Sequence, residues 1–405
     1  MTNDVLKRMC PVCESTTGEI LHTQRFADSA DLGSPSTVNI VSCLRCGCGF
    51  SDLADIQAML DKSYEEHSKY ADMSVFGEVS ASDPMLAESP WDLERLRGTA
   101  DWLAQHVPRR DARILDAGCA TGTLIGLLEK HGFSNLVGLD PSPLAAATTA
   151  RHYGVTSHAG SFCSPPESLG KFDVVVLSHV LEHIADVREA ADGLASMVKA
   201  DGFVYLEVPD AVRYSDFLIA PYHDFNNEHI NHFSLNCLDM LLAKRGFERI
   251  AGGTKVVPIA PRAPYPAAFG LWKKTGHLLD EVQLDNELRS GLLRYVNDSA
   301  DLLRRIDAHL RQSLGQEAIA LWGAGNLALK LLEDTVLKDL NVVAVVDGSR
   351  QRQGISLNGI KVVAPETLKN FVGTVLIMSL HHDESISASA SGLLGAHAKI
   401  VRLNP

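Results

Sequence analysis

Four groups of residues in this chain have the types and spacing that chemistry needs. "MCPVCE" and "SCLRCGCGF" present Cys10, Cys13, Cys43 and Cys46 as two C-x-x-C knuckles. Two such pairs supply the four thiolates that Zn²⁺ gathers into a tetrahedron, and a closed four-sulfur site leaves no position for a substrate, so the ion would be structural. Cys48 is a neighbour that could be mistaken for Cys46, while Cys119, Cys163 and Cys237 stand alone and read as small buried hydrophobes. "ILDAGCATGTL" puts Asp116 at the end of a strand, with Gly118 and Gly122 in the turn that follows. Glycines let a backbone approach a ligand where side chains would clash, and the next helix N-terminus faces that ligand. "GLDPS" ends the following strand with Asp140, suited to accept hydrogen bonds from both hydroxyls of a ribose. "LSHVLEHIAD" spells H-x-x-E-H with His179, Glu182 and His183, the arrangement of one class of zinc peptidase. A peptidase needs both histidines on one helix face and a third ligand, whereas His179 falls at the end of a predicted strand. Finally, "LWGAGNLALK" opens a helix with Gly323, Gly325 and Ala328, and "VVDGS" supplies Asp347 at the spacing of a ribose-binding acid.

The elements that position these groups follow from hydrophobic periodicity. From residue 113 strands and helices alternate through "RILDAGC", "GTLIGLLEKHG", "NLVGLD", "PLAAATTARHYG", "FDVVVLSH", "REAADGLASMVK" and "GFVYLEVPD". Such alternation predicts a parallel sheet covered by helices on both faces. A Pro-rich stretch, "VVPIAPRAPYPAAFG", then interrupts the pattern, and "LDNELRSGLLRYVNDSADLLRRIDAHLRQSL" reads as one long amphipathic helix. A second strand-helix-strand unit starts at "AIALWGAGNLALKLLED". The expected divisions are a zinc-binding module and linker over 1–75, an α/β domain over 76–255, a Pro-rich linker and long helix over 256–315, and a Rossmann-like α/β domain over 316–405. With 405 residues, 45% of them hydrophobic, the chain can bury several cores. A formal charge of −13 argues against nucleic acid as a partner. The first residues carry no apolar run, and no stretch reaches the ~18 apolar residues of a membrane helix, so a soluble, cytoplasmic protein with a small-molecule substrate is expected.

"LDAGCATG", "GLDPS", "FDVVVLSHVLEHIAD" and "DGFVYLEVPD", in this order, resemble the class I S-adenosylmethionine-dependent methyltransferases over about residues 95 to 250. The resemblance implies that Gly118, Cys119, Ala120, Thr121 and Gly122 meet the methionine part of the cofactor, with Asp116 behind them. Asp140 and Pro141 would lie at the ribose and Ser161 and Phe162 beside the adenine. The "HVLEHI" segment, with His179 and His183, would line the cofactor and substrate cleft. The three-part arrangement is further similar to the nucleotide-sugar C-methyltransferases, which carry Tyr-His-Glu-His shortly after the fifth strand. Here "DFNNEHINHFSL" keeps Glu228 and His229 but has Asn226 and Asn227 in place of Tyr-His. That resemblance implies His229 as general base, tuned by Glu228, with Asn226, Asn227, His232 and Tyr70 (with Tyr64 nearby) at the substrate. The acceptor is a carbon of a nucleotide-linked ketosugar or, in a divergent relative, an oxygen or nitrogen of another biosynthetic intermediate. A third reading gives the last domain an NAD site and makes the protein an oxidoreductase or bifunctional enzyme. Separately, His381, at the end of a predicted strand of that domain, is a candidate contact for a substrate diphosphate or a plain loop histidine.

Overall fold

The computed structural model describes residues 4–28, 35–54, 88–279, 281–395 and 398–403. Tyr64 and Tyr70 lie outside the described residues. The N-terminal part is built from β1 (Asp4–Val5), β2 (Thr17–Arg25), β3 (Thr37–Cys43) and β4 (Gly49–Ser51), paired antiparallel in chain order. The knuckles sit in the turns around these strands. Gly47 has φ 80°, and a Cβ there would stand 2.4 Å from the Asp285 carbonyl oxygen, so the second knuckle requires glycine to seat on a distant segment.

The central part begins with α1 (Pro90–His106), started by Ser89, whose side chain accepts from Asp92 N. It continues through β5 (Arg113–Ala117), α2 (Thr123–Lys130), β6 (Asn135–Asp140), α3 (Pro143–Tyr153), β7 (Thr156–Ala159), β8 (Phe172–Ser178), α4 (Val187–Met197) and β9 (Val198–Pro209). Then come β10 (Asn231–His232), α5 (Leu235–Ala243), β11 (Phe247–Ala260) and β12 (Ala263–Lys274). Seven strands form one sheet in the order β11-β12-β9-β8-β5-β6-β7. β7, β6, β5, β8 and β9 run parallel, and β12 is antiparallel to both β9 and β11. The β5 and β8 runs are apolar and almost wholly buried, as strands covered on both faces must be.

The Pro-rich stretch is therefore not a linker: the expected boundary at 255/256 falls inside β11, and residues 247–274 form a hairpin that completes this sheet. The prolines fit because each stands where no donor is needed. Pro258 lies on the edge strand, and Pro264 and Pro266 precede Ala267, where pairing of β12 with β9 begins.

β10 does not join the central sheet. It pairs antiparallel with β4, Asn231 opposite Phe50 and His232 opposite Gly49, and so makes a fifth strand of the N-terminal sheet. The Asn231 carboxamide reaches back from there. Its Nδ2 lies 3.2, 3.4 and 2.8 Å from the carbonyl oxygens of Leu181, Glu182 and Ile184, and its Oδ1 accepts from Arg8 Nη2.

The long helix α6 (Asn286–Ser313) starts at Asp285, which accepts from Leu288 N. One buried stripe of Leu288, Leu292, Tyr295, Ser299, Leu302, Ile306 and Leu310 at spacings of three and four packs first on the central core and then on the last one. The C-terminal part contains β13 (Ile319–Trp322), α7 (Asn326–Asp334), β14 (Val342–Val346), β15 (Ser356–Leu357), β16 (Ile360–Val363), β17 (Gly373–Ile377), α8 (Asp383–Leu393) and β18 (Ala398–Arg402). Its six strands are ordered β15-β16-β14-β13-β17-β18, parallel except for β15. Among the described residues no helix is long and apolar enough to cross a membrane.

Because buried polar groups left unpaired cost about 1–3 kcal/mol each, Asn231→Ala should lower the unfolding free energy by about 2–4 kcal/mol in urea titration. A loss below about 0.5 kcal/mol would show that the Asn231 carboxamide does not hold the 181–184 turn.

Candidate active site

In an open α/β sheet, ligands gather beyond the carboxyl ends of the strands where the strand order reverses. In the central sheet that point lies between β5 and β8. The loop after β5 carries residues 118–122, and the segment after β8 carries His179 to Ile184, so the two motifs meet at the switch point.

The glycine loop is shaped by its backbone. Gly118 and Gly122 have φ 82° and 83°, and Ala120 also stands in the left-handed region at 48°. A Cβ on Gly118 would come within 2.7 Å of Val180 Cγ2, and one on Gly122 within 2.8 Å of Thr149 and Tyr153. The loop and the H-x-x-E-H segment thus touch through Gly118 and Val180. Asp140, buried at the end of β6, accepts from Ala120 N at 2.9 Å and Ser142 N at 2.8 Å. Its carboxylate thereby fixes the loop. Thr121 and Thr123 both donate to Glu88 Oε1, at 3.3 and 3.2 Å. Cys119 is buried against Thr149 and Ser157, and Pro141 is exposed. Gly160 N donates to the Asp140 carbonyl, bringing the loop after β7 to the same edge; there Ser161 is exposed, whereas Phe162 turns into the core.

His179 is held by carboxylates. With φ 56°, its ring lies between Glu182 and Glu207, Nδ1 3.4 Å from Glu182 Oε1 and Nε2 3.4 Å from Glu207 Oε1. Burial works against its charged form, but the two carboxylates outweigh it and raise its pKa. Two buried acids need a cation, and His179 is there. Glu207 is fully buried and also accepts from Thr99 Oγ1 at 2.8 Å, Tyr205 Oη at 2.6 Å and Lys255 Nζ at 2.8 Å. Arg95 reaches the end of β8 through Ser178 at 2.9 Å.

Around Glu182 stand His183 and His229, with one ligand-capable atom of each of the three within 4.8 Å of the others. The two imidazoles meet edge to face at 4.9 Å. His183 Nδ1 donates to the Glu228 carbonyl at 3.0 Å, and its Nε2 lies 3.9 Å from Glu182 Oε1. Burial alone would raise Glu182, but the contact with His179 and the neighbouring imidazoles hold it below the usual carboxylate range. Burial, with His183 nearby, depresses His229 well below the ordinary histidine value, so its ring is neutral. The carboxylate beside His229 is therefore that of Glu182. Glu228 is exposed and enters the site only through its backbone, its N–H donating to Asn226 Oδ1. Asn226 Oδ1 also accepts from His229 N at 2.8 Å, so Asn226 shapes the turn that presents the ring; Asn227 is half-buried beside it.

His232 departs from its expected role at the substrate. It is fully buried on β10 among Tyr214 and Phe225, with burial pulling it down to about 3. Strand alternation accounts for this: pairing with β4 puts His232 inside the join between the two sheets. The carboxylates Glu182 and Glu207 and the amide of Asn231 were not predicted as site residues. Glu182 was spelled out by H-x-x-E-H, whereas Glu207 and Asn231 carry no local signal.

The four knuckle thiols also converge. Cys10 and Cys46 lie 3.4 Å apart, as do Cys13 and Cys43, and all four sulfurs fall within 4.8 Å. Tetrahedral zinc with bonds of about 2.3 Å sets its sulfurs about 3.8 Å apart, so the donor set fits. Cys48 is not one of these four sulfurs; its thiol lies 3.7 Å from the Gly49 carbonyl.

In the last sheet Asp347 repeats the device of Asp140, accepting from Ala324 N and Ser349 N at 2.8 Å each. The turn itself differs. A Cβ on Gly325 would stand 2.6 Å from Arg352 Nη1, so a side chain already covers it. His381 Nε2 is engaged with the Ile219 carbonyl.

Residues 92–251 match the family model described as a methyltransferase domain, and residues 315–401 match one described as C2185-like, N-terminal. A ubiquinone biosynthesis O-methyltransferase of Neisseria meningitidis is 29% identical over 28% of this chain and 50% of that protein. One from Erwinia tasmaniensis is 33% identical over 32% of this chain and 58% of its own. This chain thus spans about half the length of the curated relatives it matches. Magnesium protoporphyrin IX methyltransferase from Synechocystis, solved with bound SAH, is similar at 13% identity and a TM-score of 0.40, covering 54% of this chain and 100% of that one. The central sheet with its helices is an α/β, Rossmann-like methyltransferase domain.

Asp116, at the end of β5, has its carboxyl pushed up from 3.8 to about 7, by burial first and the Asp140 charge second. The folded protein keeps a proton there that the unfolded chain has released. This contribution to stability is complete below 3.8 and is lost as pH rises through about 7. Asp116→Asn should therefore flatten the fall in unfolding midpoint across that window, and an unaltered pH profile would contradict the assignment.

Proposed function

We propose that the methyltransferase domain of residues 92–251 moves a methyl group from S-adenosylmethionine to a small-molecule acceptor held beyond the β5–β8 switch point. The observation that carries this reading is the pairing of the Gly118–Gly122 loop with Asp140 at the ends of β5 and β6. Gly118, Ala120 and Gly122 would cradle the methionine end, Asp140 the ribose hydroxyls, and Ser161 the adenine side. When bound, the cofactor supplies an electrophilic methyl group on a sulfonium sulfur. The chain's own residues hold the two reactants in line, exclude water and deal with the acceptor's proton.

Glu182, His183 and His229 are the polar groups available for that proton. His229, neutral and beside Glu182, is the candidate base; Glu228 is replaced in its supporting role by Glu182. The acceptor is an oxygen of a nucleotide-linked sugar or a related biosynthetic intermediate. The sugar assignment rests on the three-part arrangement of the chain. Oxygen is favoured over a carbon beside a ketone because Asn226 and Asn227 stand where the similar C-methyltransferases have Tyr-His. The two similar ubiquinone enzymes are themselves O-methyltransferases. An oxidoreductase reading through the last sheet is weakened by Arg352, which lies over the Gly325 turn.

Calorimetric titration should give tight binding of S-adenosylhomocysteine and none of NADH. His229→Ala should keep that affinity while lowering turnover by about 100-fold or more. Failure of S-adenosylhomocysteine to bind would end the proposal, and undiminished turnover in the variant would remove His229 from the chemistry.

Cys10, Cys13, Cys43 and Cys46 would hold a structural zinc ion. Because the knuckles carry Arg8 and β4, which hold Asn231, stripping the ion should lower the melting temperature and weaken S-adenosylhomocysteine binding together. A chelator that removes zinc while leaving both unchanged would mean that the knuckles do not support the site.

A further inference from the structure

We propose that Glu182, His183 and His229 form a divalent-cation site that binds the oxygen of the methyl acceptor. This inference rests on the methyltransferase reading above and gives its polar cluster a specific task. One carboxylate and two imidazoles are a donor set that first-row divalent ions take, with remaining positions open to water or substrate.

Three observations support the site. First, the donors converge: one atom from each lies within 4.8 Å of the others, and Glu182 Oε1 to His183 Nε2 is already 3.9 Å. Bonds of about 2.0–2.2 Å to a common ion set ligands about 3–3.5 Å apart, so the three need to close by about an ångström. Second, the lone pairs are available. Apart from the His179 ion pair at 3.4 Å on Oε1, both carboxylate oxygens of Glu182, and Nδ1 of His229, are buried without a hydrogen-bond partner among the described residues, which is costly unless something else occupies them. Third, the supports of metal ligands are present. The Glu228 carbonyl can only accept, so it fixes His183 with its proton on Nδ1 and leaves Nε2 as a donor atom toward Glu182. His179 stands behind Glu182 at 3.4 Å, and Asn231 grips the carbonyls of the turn that carries both Glu182 and His183.

The cluster adjoins the cofactor loop through Val180 and Gly118. With its lone pair on the ion His229 is a ligand rather than the base, and an acceptor hydroxyl on the ion would lose its proton to water more readily. Its oxygen lone pair would form the new C–O bond while the C–S bond breaks and that electron pair stays on sulfur. The substrates implied are hydroxyl compounds, best with a second oxygen near enough to share the ion.

Cobalt(II) tests the site directly. Full-length protein with its cysteine site filled, dialysed against citrate to remove loosely held ions, is titrated with Co²⁺ and followed by visible absorption. One equivalent should bind with the bands of a nitrogen and oxygen environment and no thiolate charge transfer. His183→Ala and His229→Ala should each weaken binding by about 100-fold or more, since loss of a mere supporting group already costs about 10–100-fold. His183 is half-exposed, so its variant keeps the test open if His229→Ala does not fold. No binding by the parent, equal affinity in a folded variant, or thiolate charge transfer would each overturn the proposal. S-adenosylhomocysteine binding is measured on the same samples: its presence without cobalt binding leaves the methyltransferase reading standing and the cation site refuted, while its absence from the parent refutes that reading itself.

Discussion

A single buried carboxamide ties the site to the rest of the molecule. Asn231 has one amide nitrogen facing the carbonyls of the turn that bears Glu182 and His183, and one oxygen taken by Arg8. A short turn after a strand has few hydrogen bonds of its own, so without such a grip it would be free to splay. Arg8 is in turn positioned through backbone bonds, Lys7 N and Arg8 N both donating to Asp52 Oδ1, and it stands two residues before the first knuckle cysteine. The cysteine module is thus linked to the turn bearing Glu182 and His183 through Arg8 and Asn231.

The electrostatics of the site follow from the same economy of partners. Two acids, Glu182 and Glu207, are removed from water, and charges so placed persist only when paired. Glu207 meets that demand with Lys255, Tyr205 and Thr99 around one oxygen, and His179 near the other. Among the described residues, the partners of the Glu182 carboxylate are imidazoles. The difference separates a carboxylate that braces the sheet from one with capacity to spare, although both come from the ends of adjacent strands.

Local spacing made part of this legible. Cys10 with Cys13, Cys43 with Cys46, and the glycine loop with its acid are encoded within a few residues or one strand-helix unit, and reading them needed no tertiary knowledge. The Pro-rich hairpin was misread because proline signals a missing donor without saying whether a donor was required there; at Pro264 and Pro266 the neighbouring strand has already ended. Glu228 was chosen over Glu182 for a similar reason. Adjacency in sequence favoured the residue next to His229, while the fold brings in one more than forty positions away and turns the nearer side chain outward. Asn231 and His232, consecutive and both polar, show how strand alternation sends one to grip a turn and the other into an aromatic core.

Gln24, Phe26 and Ala27 are packed against α7, although the two segments lie at opposite ends of the chain. Lys330, almost fully buried, donates to Gln24 Oε1 at 2.7 Å across 306 positions of sequence, and Ala27 N bonds to the Leu329 carbonyl. During synthesis the N-terminal strands leave the ribosome long before the helix that covers them exists. The knuckles, if metal binds early, would give that waiting segment a local fold, but its apolar edge at Phe26 stays uncovered until the last sheet arrives. Closure of this molecule is consequently a late, non-local event, slow by the entropy of the loop it must complete and exposed to misassembly meanwhile. The final sheet is less an appended domain than the clasp that ends folding.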